Sequence, residues 1–208
     1  MDLTTLAAFV PAALAVVLAP GPDTMYVVTR SLGDGPTAGV VAGCGTATGV
    51  LIHTAAAVAG LATLLRASAT AYTVVKYVGA AYLCYLGVRL LLRDESFDAG
   101  TAERSRSRTE SYRRAVVINV TNAKVAVFVL TFFPQFVPAA TDAPVQMSIL
   151  GVVYAGLSLL YLAGVALFAG RVRPRPLASA HAGRVIRYLS GSVLIGVGVR
   201  LVLDERPA

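Results

Sequence analysis

The sequence predicts an all-α integral membrane protein of six transmembrane helices, arranged as two inverted three-helix repeats, with helix 1 broken at Pro20-Gly21-Pro22. Three observations predict it: the apolar segments, the one-sided placement of the arginines, and a motif that returns late in the chain. The 208 residues are 56% hydrophobic and only 14% charged, with mean hydropathy +0.70, whereas soluble domains carry ~25% charged residues. Apolar segments run over 6–28, 38–65, 72–92, 115–137, 147–169 and 185–203, each close to the ~20 residues that span a bilayer core. The chain therefore reads as one transmembrane unit, 1–208, with a first repeat over 1–92, a connecting loop over 93–114 and a second repeat over 115–208.

The net charge of +7 is distributed as membrane topology requires, not as a nucleic-acid surface. Arg93, Arg104, Arg106, Arg108, Arg113 and Arg114 gather in one loop, and Arg171, Arg173, Arg175, Arg184 and Arg187 in another. With six spans both loops share one side, and with Arg30 and Arg89 that side holds thirteen of the 18 basic residues. The positive-inside rule then puts loops 93–114 and 171–187 in the cytoplasm and both termini outside. The first basic residue is Arg30, so no positive region precedes the first apolar run, and that run reads as a membrane helix instead of a signal peptide. Cys44 and Cys84 both fall inside spans and form no spaced metal motif, so no metal or other cofactor is expected.

The first span is interrupted by Ala19-Pro20-Gly21-Pro22-Asp23-Thr24. Pro20 and Pro22 remove two backbone donors, freeing the carbonyls of Val16 and Leu18, and push Ala19 and Gly21 off helical angles. Inside hydrocarbon such open backbone survives only against protein or a wet cavity, and a carboxylate there points to function. The span then ends near Ser31, before the turn Gly33-Asp34-Gly35-Pro36.

The second span carries Gly39 and Gly43, then Gly45 and Gly49, two small-xxx-small pairs suited to close helix packing and permissive of a homodimer. His53 lies near its middle, as a relay, a ligand or a hydrogen-bonded packing residue. In the third span, Lys76 is close enough to the outer end to snorkel, and Tyr77, Tyr82 and Tyr85 have the character of interface anchors. The loop 93–114 mixes six arginines with five acids, the composition of a solvated connector.

The fourth span holds Asn119-Val120-Thr121-Asn122-Ala123-Lys124. Asn119 and Asn122 share a helix face, while Lys124 lies ~15 Å deep at ~1.5 Å per residue, too far in for comfortable snorkelling. Phe132-Phe133-Pro134-Gln135-Phe136 closes this span at the outer interface. The fifth and sixth spans carry no acid and read as scaffold.

The returning motif is Lys76-Tyr77…Leu83…Gly87-Val88-Arg89-Leu90 against Arg187-Tyr188…Leu194…Gly198-Val199-Arg200-Leu201, with a constant offset of 111. Three spans per repeat is an odd number, so the halves lie in opposite orientations, and this inverted plan places a site near midplane on broken helices. The break in the first span then pairs with Asn122-Ala123-Lys124 in the fourth.

These residues resemble the LysE/RhtB family of amino acid exporters over essentially the whole chain. The resemblance rests on the size, the six spans, Pro20-Gly21-Pro22-Asp23, and Asn122-Ala123-Lys124 followed by Phe133-Pro134-Gln135-Phe136. Ala123 departs from it, since the family usually has proline there, so proline does not enforce the second break. The resemblance implies secondary active export of amino acids or related small metabolites from the cytoplasm across the cell membrane, driven by protons.

A free amino acid needs two complementary poles. The carbonyls ending the upper half of span one, including Val16 and Leu18, offer a negative pole for an ammonium group. The lower half begins at Asp23 with amides of Thr24, Met25 and Tyr26, a positive pole for a carboxylate, unless Asp23 caps that end itself. Asp23 is expected as the coupling or ammonium-binding acid, Lys124 as its partner or the carboxylate anchor, and Asn119 and Asn122 as polar lining. Two other readings compete: a membrane thiol–disulfide electron carrier using Cys44 and Cys84, and a passive channel. An enzyme lacks its parts, because no Ser/His/Asp set, HExxH motif or paired acids occur at midplane.

Overall fold

The computed structural model describes residues 3–67, 69–92, 107–137, 142–169 and 179–203. All regular structure among them is helical: α1 (Leu3–Leu18), α2 (Pro22–Asp34), α3 (Pro36–Ala67), α4 (Ala69–Leu92), α5 (Arg108–Val120), α6 (Ala123–Val127), α7 (Ala143–Ala169) and α8 (Ser179–Leu203). After α6 the chain widens into a π-helical turn over Phe128–Phe132 and tightens into a 3₁₀ turn over Phe133–Phe136. α3 and α7 are each long and apolar enough to cross a membrane, and α1–α2 and α5–α6 qualify as single broken spans. The arginine-rich segments 93–106 and 171–178 lie outside the described residues.

Local chemistry sets the boundaries. α2 stops where Gly35 takes a left-handed φ of 88°, a conformation glycine adopts without steric cost. Pro36 then opens α3, where its missing N–H costs nothing. α5 starts earlier than the sequence predicts, because Ser107 caps it by accepting from the Glu110 amide at 3.1 Å. Ser-x-x-Glu is a helix-start signature. The last part of the expected 93–114 connector, with Arg108, Arg113 and Arg114, is therefore helix.

α3 is the central element, packed on α7, α5 and α2, and its glycines decide how closely. Gly39 and Gly43 lie against Ala166 and Leu162 of α7, while Gly45 and Gly49 lie against Tyr112 and Asn119 of α5. Both small-residue faces thus pack against helices of the same chain. Lys76 is buried instead of snorkelling. The rings of Phe132, Phe133 and Phe136 also turn inward, where Phe9 meets Phe133 and Phe136 edge-on at 5.3 Å and Tyr154 packs on Phe128 at 5.1 Å. These contacts make a buried aromatic cluster beside α7, worth more than its buried area alone.

α4 and α8 form the most extensive helix pair, and their glycine contacts are reciprocal. A β-carbon at Gly87 would come within 2.7 Å of the Gly191 carbonyl oxygen and a side-chain carbon of Ile195. One at Gly198 would meet the Ala80 carbonyl at 2.8 Å and the Cys84 sulfur at 2.5 Å. Exchanging the helices with the offset of 111 maps each set of contacts onto the other. A bulky side chain at this crossing must push the helices apart. We expect Gly87→Leu to cost about 1–3 kcal/mol, the usual range for overpacking, read as a lower unfolding temperature in detergent. Gly156→Leu is the control, because nothing lies within 4 Å of its added carbon, and it should leave that temperature unchanged.

Candidate functional site

Two helix breaks face each other. The first bends α1 against α2 by 58° across Ala19-Pro20-Gly21, and the second bends α5 against α6 by 54° at Thr121-Asn122. The second forms without a proline. Asn122 adopts an extended conformation (φ −80°, ψ 101°), and its side-chain oxygen accepts from the Lys124 amide at 3.1 Å, so an asparagine cap ends one helix and starts the next. His53 supports the same break from α3, its Nε2 lying 3.0 Å from the Asn119 carbonyl oxygen.

Each break leaves polar groups that the other satisfies. Asp23 stands at the second position of α2, where a negative charge is favourable. It does not cap its own helix. Its carboxylate accepts from Asn119 Nδ2 at 3.2 Å and from Asn122 Nδ2 at 2.6 Å. Lys124 Nζ reaches the opposite half-helix and donates to the carbonyls of Ala19 at 2.8 Å and Val16 at 3.1 Å. Gly21 leaves it room, since a β-carbon there would sit 3.2 Å from Nζ.

This arrangement corrects two expectations. The negative pole of α1, read from sequence as a seat for a substrate ammonium, is occupied by the Lys124 ammonium. Asp23 is held by two neutral amides and forms no ion pair with Lys124. The positive pole is also partly engaged, because the Met25 amide donates to the Gly21 carbonyl at 3.0 Å.

Asp23, Thr24, Asn119 and Lys124 share the wall of one small cavity with Thr46 and Val50 of α3 and with Tyr154, Ser158 and Tyr161 of α7. Its volume is about 20 Å³, little more than a single water needs. Tyr161 and Thr24 both line this cavity. Asn122 stands behind Asp23, Pro20 and Pro22 shape the break, and His53 touches the site only through the Asn119 backbone.

Sequence reasoning missed the contribution of α3 and α7. The fifth span is no plain scaffold: Tyr154, Ser158 and Tyr161 are spaced i, i+4, i+7, one face of a helix, and that polar stripe in an apolar span was a readable signal. Thr46 carried no such signal.

Comparison with known proteins bears on this geometry. The family model for the LysE type translocator matches residues 14–205. The chain belongs to the LysE type translocator family. It is 32% identical over 197 residues to the leucine efflux protein of Salmonella typhimurium, covering 91% of this chain and 90% of that one. It is 33% identical over 155 residues to the homoserine/homoserine lactone efflux protein of the same organism, covering 74% and 75%. An uncharacterized membrane protein of Vibrio cholerae is 30% identical over 201 residues, covering 97% and 98%. No solved structure matches this translocator with significance.

As a LysE type translocator the chain is a membrane transporter and not an enzyme. Membership of an efflux family takes the ground from the thiol–disulfide reading, and the Cys84 thiol donates to the Ile195 carbonyl at 3.9 Å within the α4–α8 crossing.

Restoring proline at position 123 tests the asparagine-capped break. Residue 123 is the first of α6, where proline is preferred, and Asn122 already has the extended angles that a following proline requires. Ala123→Pro should raise stability by about 0.4–1 kcal/mol through the unfolded chain, seen as a higher unfolding temperature with transport retained.

Proposed function

We propose that this protein is a secondary active exporter of amino acids, carrying small zwitterions from the cytoplasm across the cell membrane in exchange for protons. The observation that carries the reading is the Asp23 carboxylate, buried between two helix breaks and beside a small cavity. An acid so placed has the chemistry to bind either a proton or an ammonium group. The names of its relatives, leucine efflux protein and homoserine/homoserine lactone efflux protein, fit a neutral amino acid as cargo.

The fold reading is six spans in two inverted repeats, 1–92 and 115–208, acting as one transporter unit. The reciprocal contacts of Gly87 and Gly198 support it, as do the facing breaks at Pro20-Gly21-Pro22 and Asn122. The arginine-rich loops are cytoplasmic and both termini lie outside. On that topology the buried aromatic cluster of Phe9, Phe128, Phe133 and Phe136 lies on the outer side of the breaks and acts as a seal at that end. A polar cleft of about 280 Å³ between Arg30, Asp34, Thr37, Ser107, Arg108 and Ser111 lies toward the cytoplasm. A seal at one end and a site with room for about one water favour alternating access over a passive channel.

Within the site, Asp23 is the coupling acid, Asn119 and Asn122 hold it, and Thr24 lines the cavity beside it. Lys124 fixes the carbonyl end of α1, with Pro20, Gly21 and Pro22 shaping the opening. His53 steadies the second break.

Asp23→Asn decides the coupling role. The substitution turns one acceptor into a donor facing an asparagine amide and removes the titrating group. In vesicles with an imposed proton gradient, leucine export should fall at least ~10-fold, the weight of one lost charge-assisted hydrogen bond, and lose its pH dependence. Export by this variant with unchanged pH dependence would mean that coupling lies elsewhere.

A further inference from the structure

Two residues that line the cavity each carry a polar atom buried without a hydrogen-bond partner: Thr46 Oγ1 on α3 and Asn119 Oδ1 on α5, the latter packed on Gly49. Thr46 is 3% exposed and Asn119 fully buried, so surrounding solvent does not serve them. The Thr46 case is distinctive. A threonine within a helix ordinarily returns its hydroxyl to the carbonyl four residues back. Thr48 does so to Cys44, Thr54 to Val50 and Thr131 to Val127. Thr46 makes no such bond, and its hydroxyl is left without a partner beside the cavity.

The Asn119 atom is equally defined. Its amide nitrogen is committed to Asp23 Oδ1, and turning the amide over would set oxygen against carboxylate. Oδ1 is therefore an acceptor with no donor. Buried polar groups left unmatched weaken a fold, and two sharing one small cavity are the mark of a site that a ligand completes.

We infer that Thr46 Oγ1 and Asn119 Oδ1, together with the Asp23 carboxylate, form the binding site for the α-ammonium group of an uncharged amino acid, with Thr46 a substrate-contacting residue. An ammonium brings three donors and no acceptor, matching three acceptor groups. Asp23 retains capacity, because each carboxylate oxygen has a second lone pair beyond the one its asparagine uses. The remaining wall includes Val17, Val50, Val125 and Leu162, which suits an aliphatic side chain and leaves a second charge unpaired. At the end of α1, the carbonyls of Val16 and Ala19 already accept from Lys124.

This inference rests on the export reading above, and the test separates the two. Full-length protein in vesicles is assayed for radiolabelled leucine export as wild type, Thr46→Val and Thr46→Ser, with unfolding temperatures measured in detergent. Thr46→Val keeps the shape and removes the hydroxyl. It should raise the leucine KM about tenfold, the value of one hydrogen bond of ~1.4 kcal/mol. Its unfolding temperature should hold or rise, because a buried unmatched group is gone. Thr46→Ser should keep KM within about twofold of wild type.

An unchanged KM in Thr46→Val, with active wild type, overturns the assignment of Thr46 and leaves export standing. A lower unfolding temperature with normal KM also overturns it, by showing a structural hydroxyl. Wild type that exports no leucine overturns the export of a neutral amino acid and this inference with it.

Discussion

Opening a helix inside a bilayer exposes backbone groups that hydrocarbon cannot satisfy, and the structure depends on how the two breaks meet that demand for each other. Span one, broken at Pro20 and Pro22, presents carbonyls on one side and a carboxylate on the other. Span four, broken at Asn122, supplies a lysine to the carbonyls and two asparagine amides to the carboxylate. Remove either break and the other loses its partners. The charges also sit where helix dipoles favour them, Lys124 at the carbonyl end of α1 and Asp23 at the amide end of α2.

That mutual bracing explains why the elements around it are so small-sided. Asn119 reaches Asp23 only because α5 lies close to α3, and a β-carbon at Gly49 would come within 2.5 Å of its side-chain oxygen. Gly21 performs the same service for Lys124. Glycines elsewhere on α3 bring α7 close enough for Tyr154, Ser158 and Tyr161 to reach the cavity. Close packing here is a condition of the polar network, because a hydrogen bond fails within a few tenths of an ångström.

The two halves of the site have different characters. Lys124 and the amides around Asp23 are matched, so they lock the breaks in place. The Thr46 hydroxyl and the Asn119 side-chain oxygen are unmatched, on residues that line the small cavity. On the proposed reading, the matched groups are a frame that survives the cycle, and the unmatched ones are completed by cargo. Such groups cost stability in the unloaded protein, which is consistent with the trade between stability and function seen in natural proteins.

The sequence by itself determined the class of protein and located the residues at both helix breaks. Pro20-Gly21-Pro22-Asp23 and Asn119, Asn122 and Lys124 were readable because polar and helix-breaking residues at depth in apolar spans are conspicuous. The offset of 111 pointed to α4 and α8 as counterparts, and the structure shows them crossing with reciprocal glycine contacts. Tertiary structure decided the pairings. Periodicity does not say which of two acceptors a lysine reaches, so the preference of Lys124 for the α1 carbonyls over Asp23 emerged only from the packed helices. Nor does it separate Thr46 from Thr48 or Thr54, whose hydroxyls turn back to their own helix. The difference lies in what packs against each residue, a property of the neighbouring helices and not of the span that carries it.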